Sequence, residues 1–324
     1  MVALSTVQAS NALLKTLPHP VAIFVGATSG IGKSTLLHYV QYTSCPRIYF
    51  IGRSQSAADA ILSEFNEINP DGSYAFIQAD VSLLNTVDGV CKTIREKEEK
   101  IDLLFMSQGI LDFKSKTSEQ LPLMRALSYY SRMRFIANLL PLLEASSGRV
   151  ISVMMGTKEG FINPSDIRGE KLSFWNARGH HSSMMTLTME RFAEMAPTVS
   201  FIHNYPGFVE TPFGKKMMQG VTGIFIKVLY AIGMLFITRE DIPIDESGQR
   251  HVYMATSDAF SVQKPFKTTD ASAESDGNGV FSLGAYCDPD ERVQTVLDIL
   301  RQDGIKERVW LHLQEEFKRI DDMI

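Results

Sequence analysis

The stretch "VAIFVGATSGIGKST" (21–35) limits the fold more than any other part of the chain. Its first five residues are apolar and uncharged, which suits a strand buried on both faces. The glycines that follow permit a tight turn, and Lys33 to Gln41 continues as a helix. A buried strand, a glycine turn and a helix N-terminus together aim backbone N–H groups at a phosphate. Two phosphate loops share this pattern. From Ala27, A-x4-G-K-S nearly spells the loop of nucleotide hydrolases, with Lys33 and Ser34 in place. From Gly26, G-x3-G-x-G spells a turn that carries a dinucleotide pyrophosphate.

Strands and amphipathic helices then alternate. "RIYFIG" (47–52), "YAFIQAD" (74–80), "IDLLFMSQG" (101–109), "GRVISVM" (148–154) and "VSFIHNYPG" (199–207) read as strands, and 56–68, 83–100 and 181–195 as helices. "GVFSLGAY" (279–286) is expected as a last strand at the sheet edge, after a polar loop at 263–279. Strands this apolar, separated by helices, predict an α/β fold: a doubly wound, Rossmann-like parallel sheet covered on both faces. One domain over 20–286 is expected, with a helical extension over 287–324 whose Val293, Val296, Leu297 and Leu300 share a face.

Charge and cysteines narrow the surroundings. A net charge of −5 argues against a nucleic-acid partner. Cys45, Cys91 and Cys287 form neither a disulfide framework nor a zinc pattern, so no metal is expected and a reducing cytoplasm is. The N-terminus has no secretory pattern. "VTGIFIKVLYAIGMLFIT" (221–238) approaches spanning length, but Lys227 interrupts it, and it reads as a buried or lid helix over an apolar pocket rather than a membrane anchor.

The end of the second strand decides between the two loops. About twenty residues past the glycines, an acidic residue would hold the ribose hydroxyl of NAD. Here the chain reads Gly52, Arg53, Ser54. The planar fork of Arg53 suits the 2′-phosphate of NADP(H) instead.

With those residues in view, the chain resembles the short-chain dehydrogenase/reductase family over roughly residues 20–285. "GATSGIG" (26–32), "ADVS" (79–82), "SQG" (107–109) and "YPGFVET" (205–211) carry the resemblance, in the family's order. It implies a coenzyme site of Gly26, Ser29, Gly30, Ile31 and Gly32 at the pyrophosphate, with Arg53 and Ser54 at the ribose phosphate. Asp80 and Val81 would meet the adenine, and Gln108 and Gly109 stand where the family has Asn-Ala-Gly. Pro206, Gly207 and Thr211 would flank the nicotinamide carboxamide. Lys33 becomes an ordinary first-turn residue. The finer pattern is similar to a divergent subgroup common in fungal secondary-metabolite clusters, whose members are usually oxidoreductases.

The family moves its proton with a tyrosine and a lysine four residues on, because a phenol near pKa 10 needs a nearby cation to work at neutral pH. None of the ten tyrosines here is followed by such a lysine. Counting from the flanking motifs puts Ala177 at the tyrosine position, His181 at the lysine, Met155 at the serine with Thr157 close by, and Ser128 at the asparagine. The catalytic candidates are therefore His181, whose imidazole suits a proton shuttle, Ser128, and Tyr205 just before Pro206. His180 lies about 100° around the helix from His181. Each also has a plain reading: helix-start polar residues for the histidines, a packed aromatic for Tyr205. Tyr129 and Tyr130 are expected in the core or at a subunit contact. Arg132, one turn from Ser128, is expected to be solvated, paired with an acid or turned to the pocket.

Phe174, Trp175, Met154 and Met155, with 221–238, suggest a large hydrophobic small-molecule substrate, or else an ordinary core. Three functions remain open: an NADP(H)-dependent oxidoreductase on a carbonyl or secondary alcohol, a non-redox isomerase, dehydratase or cyclase on the same frame, and an NADP-binding protein without turnover. Homo-oligomers are frequent on this fold, although the C-terminal extension could cover the contact surface.

Overall fold

Along Val21–Val25 (β1) every residue is buried, with Ile23 and Val25 in one core layer and Ala22 and Phe24 in the other. That two-sided burial, at about 1.5–3 kcal/mol for each large apolar side chain, places β1 in the middle of a sheet. The computed structural model describes residues 1–16, 19–169, 171–172, 174–211, 241–262 and 279–323. Around β1 lie β2 (Arg47–Gly52), β3 (Ser73–Gln78), β4 (Leu103–Met106), β5 (Arg149–Val153) and β6 (Ser200–Asn204). The short strands β7 (Phe208–Val209) and β8 (Asp241–Ile242) pair apart from them, and β9 (Val280–Leu283) closes the main sheet. The order is β3-β2-β1-β4-β5-β6-β9 with every pair parallel, so the chain reverses direction between β1 and β4. A doubly wound α/β sheet is what the apolar strands implied.

One face is covered by α1 (Leu4–Ala12), α2 (Gly30–Tyr42), α3 (Gln55–Ile68) and a later helix, α8 (Ile244–Thr256). The other carries α4 (Leu84–Arg95), α6 (Ser131–Ser146) and α7 (Phe174–Met195). A short α5 (Leu123–Arg125) and a π-helical turn over Ala126–Tyr130 lead into α6. The C-terminal tail forms α9 (Glu291–Gln302) and α10 (Ile305–Asp321), broken at Gly304, whose φ of 67° favours glycine. Val293, Leu297 and Leu300 are buried in the same core layer as α4 and α6. Arg134 ties α6 to Asp88 and Asp321, and Arg301 ties Glu190 of α7 to the tail.

Several boundaries differ from expectation, each for a local reason. The strand expected over 101–109 ends at Met106, because the chain then turns so that Gln108 passes against Gly26. The strand expected to Gly207 ends at Asn204, before Pro206, which has no N–H to give a neighbour. Helix α7 begins seven residues before position 181, running through Gly179, where an added Cβ would lie 2.9 Å from the Gly160 Cα. Close backbone approach, not helix propensity, explains that glycine. Helix α8 was not foreseen; its polar residues Gln249, Arg250 and His251 are buried. The loop 263–278, the apolar segment 221–238 and the side chains of Phe174 and Trp175 lie outside the described residues. No helix among the described residues is long and apolar enough to cross a membrane.

Candidate active site

The turn after β1 is shaped by close backbone contacts. Gly26 has φ 80°, and a Cβ there would stand 2.6 Å from the Gln108 amide nitrogen. A Cβ on Gly32 would collide with the Ser107 hydroxyl and the Gly26 carbonyl. Gly30, at φ 58°, leaves only 3.4 Å to the Thr211 methyl, so the segment after β6 folds back onto the turn. Ser29 begins α2 without capping it, which leaves the first-turn N–H groups unsatisfied by that side chain. The cradle thus offers backbone donors and a positive helix end, a fit for a pyrophosphate. Ile31 packs partly buried beneath it.

The same turn does not serve a phosphate-loop lysine. Lys33 Nζ pairs with Glu64 Oε1 at 2.6 Å on α3, and the Ser34 hydroxyl donates to the Ile244 carbonyl at 2.8 Å. Both groups that would meet a γ-phosphate and its magnesium are turned elsewhere.

At the end of β2, Arg53 is exposed, and its guanidinium has no ion pair among the described residues. Its carbonyl is fixed by Gln78 Nε2 at 3.0 Å. Ser54 caps α3 by accepting from the Ala57 N–H at 3.2 Å. Asp80 is exposed and accepts from the Ser82 N–H, and Val81 is buried beside it. Gly109 leaves open space, with only Met154 Cε at 3.8 Å from an added Cβ. Gly207, at φ 73°, turns the chain after Pro206.

Beyond the reversal point, side chains dominate. Arg132 is wholly buried on α6. Its Nη1 donates to Ser152 Oγ at 2.5 Å and the Val153 carbonyl at 3.0 Å, and its Nη2 to the Gln108 carbonyl at 2.6 Å. Of the alternatives expected for it, solvation and an acid partner do not occur among the described residues, and burial pushes its pKa down to about 9. It stays charged at neutral pH. Gln108 donates through Nε2 to Ser131 Oγ at 3.2 Å, and its Oε1 is buried without a partner.

Of the three catalytic candidates, Ser128 sits in the π-helical turn and donates to the Met124 carbonyl at 2.7 Å. His181 is buried with its ring edge-on to Tyr129 at 6.0 Å, and its Nε2 has no partner. Burial first, then the Arg125, His203, Arg132 and His180 charges, push its pKa down to about 3, so the imidazole is neutral. His180 meets the Ile167 carbonyl. Tyr129 bonds Thr188, and Tyr130 bonds His312 of α10, which makes it an intrachain contact.

Tyr205 is the candidate with cations beside it. Lys158 Nζ lies 4.7 Å from its ring centroid and Arg178 Cζ 5.3 Å. The three come from the loop after β5, from α7 next to Ala177, and from the end of β6. Nothing in the spacing of 158, 178 and 205 announces such a group. A buried network behind it was equally hidden. Glu159 Oε1 accepts from Thr186 and Ser282 at 2.7 Å each, and His203 Nδ1 meets Thr186 Oγ1 at 2.9 Å. Burial raises the Glu159 carboxyl, but His203, Thr186 and Ser282 outweigh it and hold the group below the usual range. A cleft of about 410 Å³ opens between Lys158, Arg178 and the start of α9.

Comparison with known proteins agrees with this architecture. Residues 20–165 match the short chain dehydrogenase family. An oxidoreductase of Emericella nidulans is 39% identical over 97% of this chain and 97% of its own length. The short-chain dehydrogenase/reductase SAT2 of Stachybotrys chartarum is 30% identical over 100% of this chain and 98% of its own. The crystal structure of L-sorbose reductase from Gluconobacter frateurii, complexed with NADPH and L-sorbose, shares the fold with a TM-score of 0.56 at 16% identity, covering 75% of this chain and 92% of that one. The chain belongs to the short-chain dehydrogenase/reductase family.

Proposed function

We propose that this protein is an NADP(H)-dependent oxidoreductase that interconverts a hydrophobic carbonyl compound and its secondary alcohol, in secondary metabolism. The observation that carries the reading is Arg53: an exposed guanidinium without an ion pair among the described residues, one position past Gly52, which packs against Thr28 of the glycine turn. A ribose phosphate is the partner that such a group suits. Gly26, Ser29, Gly30, Ile31 and Gly32 would hold the pyrophosphate, Ser54, Asp80 and Val81 the adenosine, and Gln108, Gly109, Pro206, Gly207 and Thr211 the nicotinamide half. When bound, that coenzyme supplies or accepts the hydride.

The protein's own part is orientation and a proton. Tyr205 gives its hydroxyl proton to the substrate oxygen, and Lys158 and Arg178 beside its ring favour the phenolate left behind. His181, being neutral, serves as a hydrogen-bonding partner rather than an acid, and Ser128 supports the turn. Leu111, Phe113, Phe161 and Phe208, which follow β4, β5 and β6 in the chain, are exposed and would offer apolar surface to a substrate. Ala177 at the family's tyrosine position favours a second reading, a frame that binds NADP(H) without net redox chemistry.

Absorbance near 340 nm, followed with NADPH and a panel of apolar ketones, separates the two. Coenzyme consumption that depends on the ketone supports the oxidoreductase. Product formed while NADPH stays constant, or no reaction with any ketone, supports the second reading.

A further inference from the structure

Arg132 is a full positive charge, completely buried, with no carboxylate partner among the described residues. Its guanidinium is held by one hydroxyl and two carbonyls, which satisfy hydrogen bonds without cancelling the charge. Nε has no acceptor, so even the hydrogen bonding is incomplete. Buried charges are ordinarily paired, because the desolvation cost is otherwise large. Of the acceptors, Gln108 lies just past the C-terminal end of β4 and Val153 is the last residue of β5. In a sheet that reverses between β1 and β4, the second half of a dinucleotide lies over those ends.

We infer that Arg132 makes the coenzyme site bind the reduced form more tightly than the oxidised one. This rests on the coenzyme reading above. An oxidised nicotinamide ring is a cation and its reduced form is neutral. A fixed cation at the ends of β4 and β5 would repel the first and spare the second, and its burial leaves the charge little screened. The cleft therefore fills with NADPH and releases NADP⁺. When bound, the reduced coenzyme would supply the hydride to the carbonyl carbon, and Tyr205 would give the proton to the oxygen. The products are alcohol, NADP⁺ and a tyrosinate that takes its proton back from solvent.

The test is a calorimetric titration of the full chain with NADPH and with NADP⁺, read as a ratio of dissociation constants. The wild type is expected to bind NADPH at least about tenfold more tightly, the size of effect a partly shielded charge produces. Arg132→Met should bring the ratio close to one, and Arg132→Lys should keep it. Ser152→Asp places a carboxylate beside the guanidinium without removing it, and should also collapse the ratio, so the outcome does not depend on Arg132→Met folding. Equal affinities in the wild type, or a ratio unmoved by Ser152→Asp and by a folded Arg132→Met, overturn the inference. Failure of both nucleotides to bind the wild type would instead overturn the coenzyme reading itself.

Discussion

The two halves of the cleft are built from different materials. On the β1–β3 side, the working parts are backbone: a turn in which Gly26 and Gly32 have no room for a Cβ, and a helix start that Ser29 leaves uncapped. On the β4–β6 side they are side chains: Arg132 under two strand ends, and Tyr205 beside Lys158 and Arg178. A backbone cradle tolerates one sequence solution, because a pyrophosphate needs close approach and positive φ at fixed positions. Proton transfer needs only an acid of suitable pKa and reach, and any element that borders the cleft can supply it. By the count from the flanking motifs, the first half keeps its family pattern and the second departs from it at Ala177, His181, Met155 and Ser128.

If that contrast holds, the largest effect belongs to the cradle. Gly26→Val would set a branched side chain against the Gln108 backbone at a φ of 80°. We expect NADPH affinity to fall more than about a hundredfold and stability by about 1–3 kcal/mol, the cost of a strained backbone position. Calorimetry and thermal melting would report both. Next comes Arg53→Glu, which should weaken NADPH about a hundredfold and leave NADH nearly unchanged, inverting the preference. Fluorescence titration of the two coenzymes measures it, and undiminished NADPH binding would remove Arg53 from the site.

On the other half, Tyr205→Phe should lower kcat about a hundredfold with little change in KM, and Lys158→Met about tenfold with an altered pH profile. If Tyr205→Phe retains wild-type turnover, the proton comes from elsewhere.

An effect absent at neutral pH is expected on stability against acid. The His181 pKa is about 3 in the folded protein and about 6.5 in an unfolded chain. Between those values the unfolded chain binds more protons, so this stabilising contribution is complete above about pH 6.5. It is lost as pH falls toward 3, by up to about 1.4 kcal/mol per pH unit. The lowered Glu159 carboxyl adds to the loss at the acid end. Melting curves of His181→Phe should show a shallower acid limb than the wild type.

What could be read from the residues follows the same division. β1 and β2 were legible to the residue, because each is an apolar run ended by glycine. The position of Arg53 just past the end of β2 was legible, because it is fixed by counting from the glycines. Helix α8 was not, since Gln249, Arg250 and His251 hide its buried face from any apolar periodicity. Nor was the grouping of Lys158, Arg178 and Tyr205, which three loops and helices bring together only in the folded sheet. Arg132 could be named but not interpreted: in sequence it resembles any helix-surface arginine, and only its burial between β4 and β5 makes it unusual.

The most direct test is isothermal calorimetry of the purified protein with NADPH and, separately, NADH. We expect NADPH to bind with at least about tenfold higher affinity, a preference that Arg53→Glu inverts. No heat with NADPH, or equal affinity for NADH, would contradict a 2′-phosphate seated at Arg53.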